Sequence, residues 1–314
     1  MTEKNNLKRD FISLKDFSPS ELQNILSLAR QLKHDPSQCR DDLKGKSFAL
    51  IFQKPSNRTR VSFETGIFQL GGNTMYLGPD DISLGKREPT SDVARTLSRF
   101  VDGIVARVFS HQDILDLAKY ATVPVVNGLS DFSHPCQALA DMMTAEERFG
   151  KLKGLKMAYI GDGNNVCNSL IVSCAKMGTD LAIATPKGYE PDPDVVKLGH
   201  ELAKMSGAKI TVTHSAADAA KGANVLYTDT WISMGQEDET AKRLNDFEGY
   251  QINEKLARHA AKDFIFMHCL PAHRGQEVSE DIIDGPHSVI FDEAENRLHV
   301  QKAILIFLYT FKHQ

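Results

Sequence analysis

The chain has 314 residues, a quarter of them charged, with a net charge of −4 at pH 7. This length suits two compact domains, and the mildly acidic balance argues against a nucleic-acid or membrane surface. No apolar run reaches the roughly 18 residues of a membrane helix. Because the first residues also show no secretory signal, we expect a cytoplasmic protein. Five cysteines without a C-x-x-C pair fit a reducing compartment, where disulfides are not expected.

Short apolar runs alternate with amphipathic helical stretches along the first half of the chain. Their spacing predicts strands at 47–52, 73–77, 103–108 and 123–127, and helices at 58–70, 90–101, 111–119 and 134–149. This alternation is typical of a parallel α/β unit. We therefore place a first domain at residues 1–150.

The same alternation resumes after a polar link at residues 151–154. It predicts strands at 156–160, 180–184, 209–213, 224–228, 263–268 and 288–292. A second domain is therefore expected at 151–294. The last segment, 295–314, is strongly helical and apolar, and we expect it to cross back onto the first domain. The predicted fold class is α/β, with two domains that each contain a parallel β-sheet flanked by helices.

The segment Ser56-Asn57-Arg58-Thr59-Arg60 stands between a predicted strand and a predicted helix. The order strand, polar turn, helix presents backbone N–H groups to an anion. Guanidinium groups add planar donors that match phosphate oxygens. The alternative is a solvated basic start to a helix, but cations in a first helical turn oppose the helix dipole, and a bound anion resolves that conflict. We interpret this segment as a phosphate cradle.

Two further sets follow strands of the first domain, at the sheet edge where ligands of open α/β sheets bind. Arg107 lies near the end of an apolar strand. It is either half of a structural ion pair or a further cation for the bound anion. The run His134-Pro135-Cys136-Gln137 follows the next strand, and Pro135 suits a first helical position. His134 and Gln137 can then face one small group, unless His134 is only a helix cap.

Two strand ends of the second domain carry polar turns. Gly161 and Gly163 resemble the start of a dinucleotide fingerprint. Val166 fills the third glycine position and the expected acidic residue is missing, which disfavours a nicotinamide cofactor. Asn165 is then left to bind a ligand. Asp229, after a later strand, is either a partner for a ligand cation or the cap of a following helix.

The last strand end carries the run His268-Cys269-Leu270-Pro271-Ala272-His273. Cysteine and histidine at this spacing raise the possibility of zinc, but no fourth ligand suggests itself. A thiol beside a histidine is also a candidate nucleophile. The abundance of arginine elsewhere favours a site for a small anionic substrate.

Taken together, these motifs resemble those of the carbamoyltransferases. The family's S-T-R-T-R signature stands here as residues 56–60 and its H-P-x-Q signature as residues 134–137. The S-M-G and H-C-L-P loops of the ornithine branch stand as residues 233–235 and 268–271. The resemblance implies carbamoyl phosphate and ornithine as ligands, and citrulline and phosphate as products in arginine metabolism. It also implies a homo-oligomer, with a trimer expected, because family members are trimers or assemblies of trimers. It also implies neither a cofactor nor a metal.

The resemblance also assigns residues by position. The positions for carbamoyl phosphate are Ser56, Asn57, Arg58, Thr59, Arg107, His134, Pro135, Cys136, Gln137, Cys269, Leu270 and Arg297, and those for ornithine are Asn165, Asp229, Ser233 and Met234. Within these sets the expected catalytic residues are Arg58, Arg107, His134, Asp229 and Cys269, with Cys269 positioning the substrate and forming no covalent intermediate.

Two positions depart from the family pattern. Asn57 replaces the usual threonine, and its amide can still donate and accept hydrogen bonds. Ser83 begins the loop 83–86, which corresponds to the loop that reaches a neighbouring subunit in family members. Relatives often carry a longer hydrogen-bonding side chain there.

Overall fold

The computed structural model describes residues 8–37, 41–232 and 237–310. These residues form two compact units. The first contains the described residues up to Leu139 and from Asn296 onwards, and the second is Ala140–Glu295. The division falls inside a helix, Pro135–Phe149, whereas the sequence places a link after that helix. The link at 151–154 as a domain boundary stays a prediction.

The first unit is built on a four-stranded parallel sheet in the order β2-β1-β3-β4. Its strands are β1 (Ser47–Phe52), β2 (Asn73–Leu77), β3 (Gly103–Arg107) and β4 (Val125–Leu129). The helices that begin in this unit are α1 (Pro19–His34), α2 (Asn57–Gln69), α3 (Pro79–Ile82), α4 (Thr90–Leu97), α5 (His111–Tyr120) and α6 (Pro135–Phe149). A single turn of 3₁₀-helix, Leu14–Asp16, precedes α1.

The second unit is built on a five-stranded parallel sheet in the order β7-β6-β5-β8-β9. Its strands are β5 (Lys156–Ile160), β6 (Asp180–Ala184), β7 (Ile210–Thr213), β8 (Val225–Tyr227) and β9 (Ile265–Met267). The helices that begin in this unit are α7 (Asn165–Met177), α8 (Pro193–Ser206), α9 (Ala216–Ala220), α10 (Thr240–Asp246), α11 (Glu254–Ala257), α12 (Glu280–Ile283) and α13 (Ile290–Thr310). A 3₁₀ turn, Glu237–Glu239, precedes α10.

The strands are nearly continuous apolar runs because helices cover both faces of a parallel sheet. In β1, for example, every residue after Ser47 is buried. The predicted fold class, two parallel α/β units, is confirmed. No helix within the described part of the chain is both long enough and apolar enough to span a membrane.

The last helix, α13, returns to the first unit as predicted. The Lys33 ammonium in α1 donates to Asn296 Oδ1 at 2.8 Å, and the rings of Phe17 and Phe307 lie 6.1 Å apart. A side chain at Gly66 in α2 would place its Cβ 3.1 Å from Cγ of Lys302, so the absence of a side chain permits close packing of the two helices.

The strand predicted at 288–292 is wrong. Ser288 forms only an isolated bridge to Phe266, and α13 begins two residues later at Ile290. A short apolar run does not distinguish a buried strand from the start of a buried helix. The other nine predicted strands are present, four with the predicted ends and five with ends that differ by one or two residues. Helix α1, which starts with a capping box formed by Ser18 and Glu21, was not among the predicted helices.

Candidate active site

The predicted phosphate cradle lies at the start of α2. Ser56 is extended and caps the helix, with its hydroxyl accepting the N–H of Thr59 at 3.4 Å. The first turn of the helix has no acidic residue. Its N-terminal N–H groups and the helix dipole therefore favour an anion.

The two arginines of the signature differ in their surroundings. Arg60 pairs with Glu64 one turn later, Nε to Oε1 3.0 Å, and its guanidinium lies 3.7 Å from the centre of the Tyr76 ring. Arg58 forms no ion pair with any of the residues that the structure describes. Arg58 is therefore the arginine of the signature that remains available to a ligand.

Three guanidinium groups of the first unit act on one imidazole. Burial and the charges of Arg297, Arg107 and Arg58 hold the pKa of His134 well below its usual range. The imidazole is therefore neutral near pH 7 and able to donate one hydrogen bond without adding charge. Three permanent positive charges around one small region repel each other, and a phosphate dianion relieves that repulsion.

Arg107 and Arg297 reach this region from different elements. Arg107 is the last residue of β3, pairs in register with Phe52 of β1, and is buried. Arg297 lies in α13, and its Nη2 donates to Thr59 Oγ1 at 2.8 Å. Arg297 thus contacts the first turn of α2, and Arg107 lies beside the end of β1. Their roles toward a ligand stay predictions.

The second signature begins α6. Pro135 is its first residue, in agreement with the sequence, and His134, Cys136 and Gln137 are buried beside it. Burial raises the pKa of the Cys136 thiol to about 12, and Sγ donates to the carbonyl of Asn127 at 3.5 Å. The Cys136 thiol is therefore engaged by the carbonyl of Asn127, and a ligand could contact this residue only through its backbone.

The second unit centres on Asp229, which follows β8. Residues 230–232 are not helical, so the alternative of Asp229 as a helix cap is wrong. Asp229 Oδ2 accepts from Asn164 Nδ2 at 2.7 Å, and Oδ1 accepts from the Cys269 thiol at 3.1 Å. Two donors from different loops therefore fix this carboxylate at the carboxyl edge of the sheet.

Asn164 was missed by the sequence analysis, which singled out Asn165. Its Oδ1 accepts the N–H groups of Val166 and Cys167 and caps α7, while its Nδ2 holds Asp229. The signal was present, since asparagine directly before a helix is a preferred cap. Asn165 is the first residue of α7 and half-buried, so its role toward a ligand stays a prediction.

The glycine turn before α7 has a packing role. A Cβ at Gly163 would lie 2.2 Å from the backbone nitrogen of Pro191, so any larger residue would collide with backbone. Packing against Pro191 therefore accounts for a glycine at position 163, and no bound dinucleotide is needed to explain it. The fingerprint therefore gives no support to a nicotinamide cofactor beyond the two glycines themselves.

Cys269 carries a protonated thiol. Burial and the neighbouring Asp229 carboxylate raise its pKa well above its usual range. A thiol is a poor nucleophile compared with a thiolate, so the nucleophile alternative loses support. The same thiol donates to Asp229, which suits a residue that positions its neighbour.

The zinc alternative is not supported either. Asp229, His268 and Cys269 have potential ligand atoms within 4.8 Å of one another. However, Nδ1 of His268 accepts the N–H of Leu270 at 2.8 Å, and the Cys269 thiol donates to the Asp229 carboxylate at 3.1 Å. These groups are engaged in hydrogen bonds of the turn.

Leu270 shapes that turn with an unusual backbone. Its φ is 58°, in the left-handed region that leucine rarely adopts. Such a conformation costs about 1–3 kcal/mol and persists where the surroundings fix it. Here the bond from Leu270 N–H to His268 and the bond from His268 N–H to Glu293 Oε2, 2.9 Å, supply that support.

Two predicted ornithine residues, Ser233 and Met234, lie outside the described residues. Ser83 has a left-handed backbone with φ 42°, and its hydroxyl donates to the carbonyl of Pro79 at 3.2 Å. Its contribution to a neighbouring subunit stays a prediction.

Comparison with known proteins identifies both halves of the chain. A family model described as the aspartate/ornithine carbamoyltransferase carbamoyl-P binding domain matches residues 9–147, and one described as the Asp/Orn binding domain of the same family matches residues 153–308. A protein named ornithine carbamoyltransferase from Thermococcus kodakarensis is 54% identical over 299 residues, which cover 95% of each chain.

Solved structures agree with this result. Ornithine carbamoyltransferase from Pyrococcus furiosus superimposes with a TM-score of 0.92 at 52% identity, over 95% of this chain and 96% of that one. Anabolic ornithine carbamoyltransferase from Campylobacter jejuni superimposes with a TM-score of 0.92 at 41% identity, over 96% and 99% of the two chains. The resemblance found in the motifs is confirmed.

Proposed function

Because the chain belongs to the aspartate/ornithine carbamoyltransferase family, we propose that it is an ornithine carbamoyltransferase. It transfers the carbamoyl group of carbamoyl phosphate to the side-chain amine of L-ornithine and releases L-citrulline and phosphate. One observation carries the proposal: the positive charges of Arg58, Arg107 and Arg297 all act on a buried, neutral His134 directly before α6, in a chain that matches such enzymes over 95% of its length.

The first unit binds carbamoyl phosphate in this proposal. The N-terminal N–H groups of α2, the hydroxyls of Ser56 and Thr59 and the guanidiniums of Arg58 and Arg107 hold the phosphate. Attack by an amine places a second negative charge on the carbonyl oxygen, which needs oriented donors. The neutral imidazole of His134 supplies one such donor, and the family pattern adds Gln137, Arg297 and the Cys269-Leu270 turn.

The second unit binds ornithine through Asp229, together with Asn165, Ser233 and Met234 by family position. The side-chain amine of ornithine has a lysine-like pKa near ~10.4, so it must lose a proton before attack. Asp229 orients the ammonium, and the carboxylate alone would raise the amine pKa. Partial removal of water beside Cys269 opposes that effect, so that the ammonium releases its first proton to solvent before attack. The second proton, released from the nitrogen as the new bond forms, passes to the departing phosphate.

In this mechanism the enzyme forms no covalent intermediate. The carbon–nitrogen bond to ornithine forms first and gives a tetrahedral species. This species collapses when its carbon–oxygen bond to phosphate breaks and phosphate leaves. The fixed donors of the first unit stabilise that species without reorganising. The Cys269 thiol stays protonated and positions Asp229.

We also propose that the protein works in the cytoplasm as a homotrimer, in arginine biosynthesis. A surface of the first unit supports association: Val61 and Phe68, seven residues apart on α2, are 52% and 79% exposed, and Met75 on the edge strand β2 is 40% exposed. We take these exposed apolar side chains as part of the contact between subunits. A relative from Pyrococcus furiosus at 52% identity is named as the anabolic enzyme.

A colorimetric citrulline assay tests the activity. The protein is given carbamoyl phosphate with ornithine, putrescine or acetylornithine in parallel, and turnover is expected with ornithine. Turnover with putrescine or acetylornithine alone would place the enzyme elsewhere in the family. Absence of turnover with intact ligand binding would instead indicate an anion-binding protein, and light scattering after gel filtration tests the trimer.

A further inference from the structure

Two buried carboxyl groups of the second unit take no part in the mechanism above. Asp141 in α6 and Glu293 in α13 are both fully buried, and their side chains are hydrogen-bonded to each other. Two carboxylates in contact do not both stay ionised away from water, because each charge penalises the other. A hydrogen bond between them also requires a proton on one of the two. The pair therefore holds one proton.

The other partners of Glu293 indicate where that proton lies. Oε1 of Glu293 accepts from the Tyr227 hydroxyl at 3.2 Å, and Oε2 accepts the N–H of His268 at 2.9 Å. Because both oxygens already act as acceptors, Asp141 is the better donor in the bond between the two. Burial and the Asp141 charge raise the pKa of Glu293 well above its usual range, which fits a coupled pair that retains a proton.

The contact with His268 links the pair to the candidate site. His268 directly follows β9 and precedes Cys269, whose thiol donates to Asp229. Glu293 thus accepts a backbone hydrogen bond at the base of the turn that contains Leu270. A displaced His268 backbone moves the thiol and, with it, a hydrogen bond to the carboxylate that is proposed to bind ornithine.

We propose that Asp141 and Glu293 share one proton and act as positioning residues for the turn that carries Cys269. Neither residue touches a substrate in this proposal. Their hydrogen-bonded pair fixes the backbone of His268, and the shared proton removes the repulsion that two buried charges would create. The inference rests on the proposed carbamoyl transfer for its activity readout only.

Other titratable groups face the pair from neighbouring elements. Among the described residues they include Tyr227 of β8, Cys174 of α7 and Cys269 after β9, and His268 contacts Glu293 through its backbone N–H. Burial raises the pKa values of the phenol and of both thiols, so these three groups stay neutral near pH 7. A comparison of variants with the wild type cancels the contributions of groups that the substitution leaves unchanged.

The first test is Asp141→Asn, since an amide donates permanently to Glu293. In the wild type the native pair keeps a proton that the unfolded chain releases above about pH 4, so its contribution lowers stability as pH rises. In Asp141→Asn no proton is retained by the pair, so this fall in stability with rising pH is absent. We expect the free energy of unfolding, measured with urea between about pH 5.5 and about pH 7.5, to depend on pH with a slope that differs from the wild type by the equivalent of about one proton. The turnover number is expected to stay within about threefold of the wild type.

The second test is Asp141→Ala, which removes the donor. Its turnover number, expressed per folded protein, is expected to fall about tenfold or more, because small displacements of reacting groups are costly. The exposed neighbour Asp292→Asn serves as control and is expected to match the wild type in both measurements.

Two results overturn the proposal. If the pH dependence of stability is the same in Asp141→Asn as in the wild type, the claim of a shared proton is wrong. If folded Asp141→Ala has a wild-type turnover number, the claim of a positioning role is wrong, even if the protein is less stable. If Asp141→Ala does not fold, a turnover number for Asp141→Asn more than about tenfold below the wild type has the same effect. The pH dependence of stability is measured without substrate. A wild-type protein that makes no citrulline would therefore contradict the proposed function, but the stability comparison between wild type and Asp141→Asn would still test the shared proton.

Discussion

Arg297 in α13 donates a 2.8 Å hydrogen bond from Nη2 to the hydroxyl oxygen of Thr59 in α2. The two residues are 238 positions apart in the sequence. Because the Thr59 oxygen accepts from Arg297, its own proton is left to donate to a phosphate oxygen. The guanidinium thus orients a hydroxyl of the signature and adds a positive charge beside His134.

Arg58→Ala is expected to lower the turnover number about 10²- to 10³-fold, because it removes a fixed donor for charge that develops during the reaction. Steady-state citrulline formation measures this, with circular dichroism to confirm folding. Arg60→Ala is the matched control, since Arg60 is engaged by Glu64 and Tyr76 and is expected to lose far less. If the turnover number falls equally in Arg58→Ala and Arg60→Ala, the assignment of Arg58 as the ligand-binding arginine is wrong.

Asp229→Asn is expected to raise the KM for ornithine about 10- to 100-fold and to leave the KM for carbamoyl phosphate nearly unchanged. The loss of one hydrogen bond to a charged group corresponds to about 1.5–3 kcal/mol. Initial rates at varied ornithine measure the change. The exposed Asp218→Asn in the same unit is the control, and an unchanged ornithine dependence in Asp229→Asn would contradict the assignment.

Cys269→Ser is expected to keep the turnover number within about tenfold of the wild type, because a hydroxyl still donates to Asp229. Cys269→Ala, which has no donor, is expected to lose more. The raised pKa also predicts slow alkylation of this thiol by iodoacetamide near neutral pH. Complete loss of activity in a folded serine variant would instead restore the covalent alternative.

Acid is expected to destabilise the protein through His134. Its pKa lies well below its usual range in the folded state, whereas the unfolded side chain takes up a proton below about pH 6.5. The unfolded state therefore binds more protons, and stability falls as pH falls below about 6.5. One such group contributes up to about 1.4 kcal/mol per pH unit.

His134→Asn removes this contribution. Urea unfolding of both proteins from about pH 7.5 to about pH 5.5 should show a smaller pH slope in the variant. His200→Asn is the control, because this ring is exposed to water and is expected to leave the slope unchanged. Parallel stability curves for wild type and His134→Asn would contradict the assignment.

The elements with strong local signals could be predicted from the sequence. Helix α2 was expected at 58–70 and runs from Asn57 to Gln69, because a polar cap and periodic apolar positions mark it. Pro135 likewise marked the start of α6. The order of the motifs was enough to identify the family, because four different short signatures occur along the chain in the family's order and each follows a predicted strand.

The interior acids could not be predicted. In the sequence, Asp141 and Glu293 are ordinary polar positions of two helices, and only tertiary packing makes them fully buried partners. The same holds for Arg297, whose contact with Thr59 depends on the return of the last helix. The strand expected at 288–292 failed for a related reason, since a helix entering a buried environment is as apolar as a strand.

The first unit is assembled from two distant parts of the chain, the described residues up to Leu139 and those from Asn296 onwards. During synthesis the ribosome makes the second part last. The early part therefore emerges without the helix that packs at Gly66 and without the guanidinium that reaches Thr59. This unit cannot finish folding until the segment from Asn296 onwards has been made, so the second unit is the first whose whole sequence leaves the ribosome.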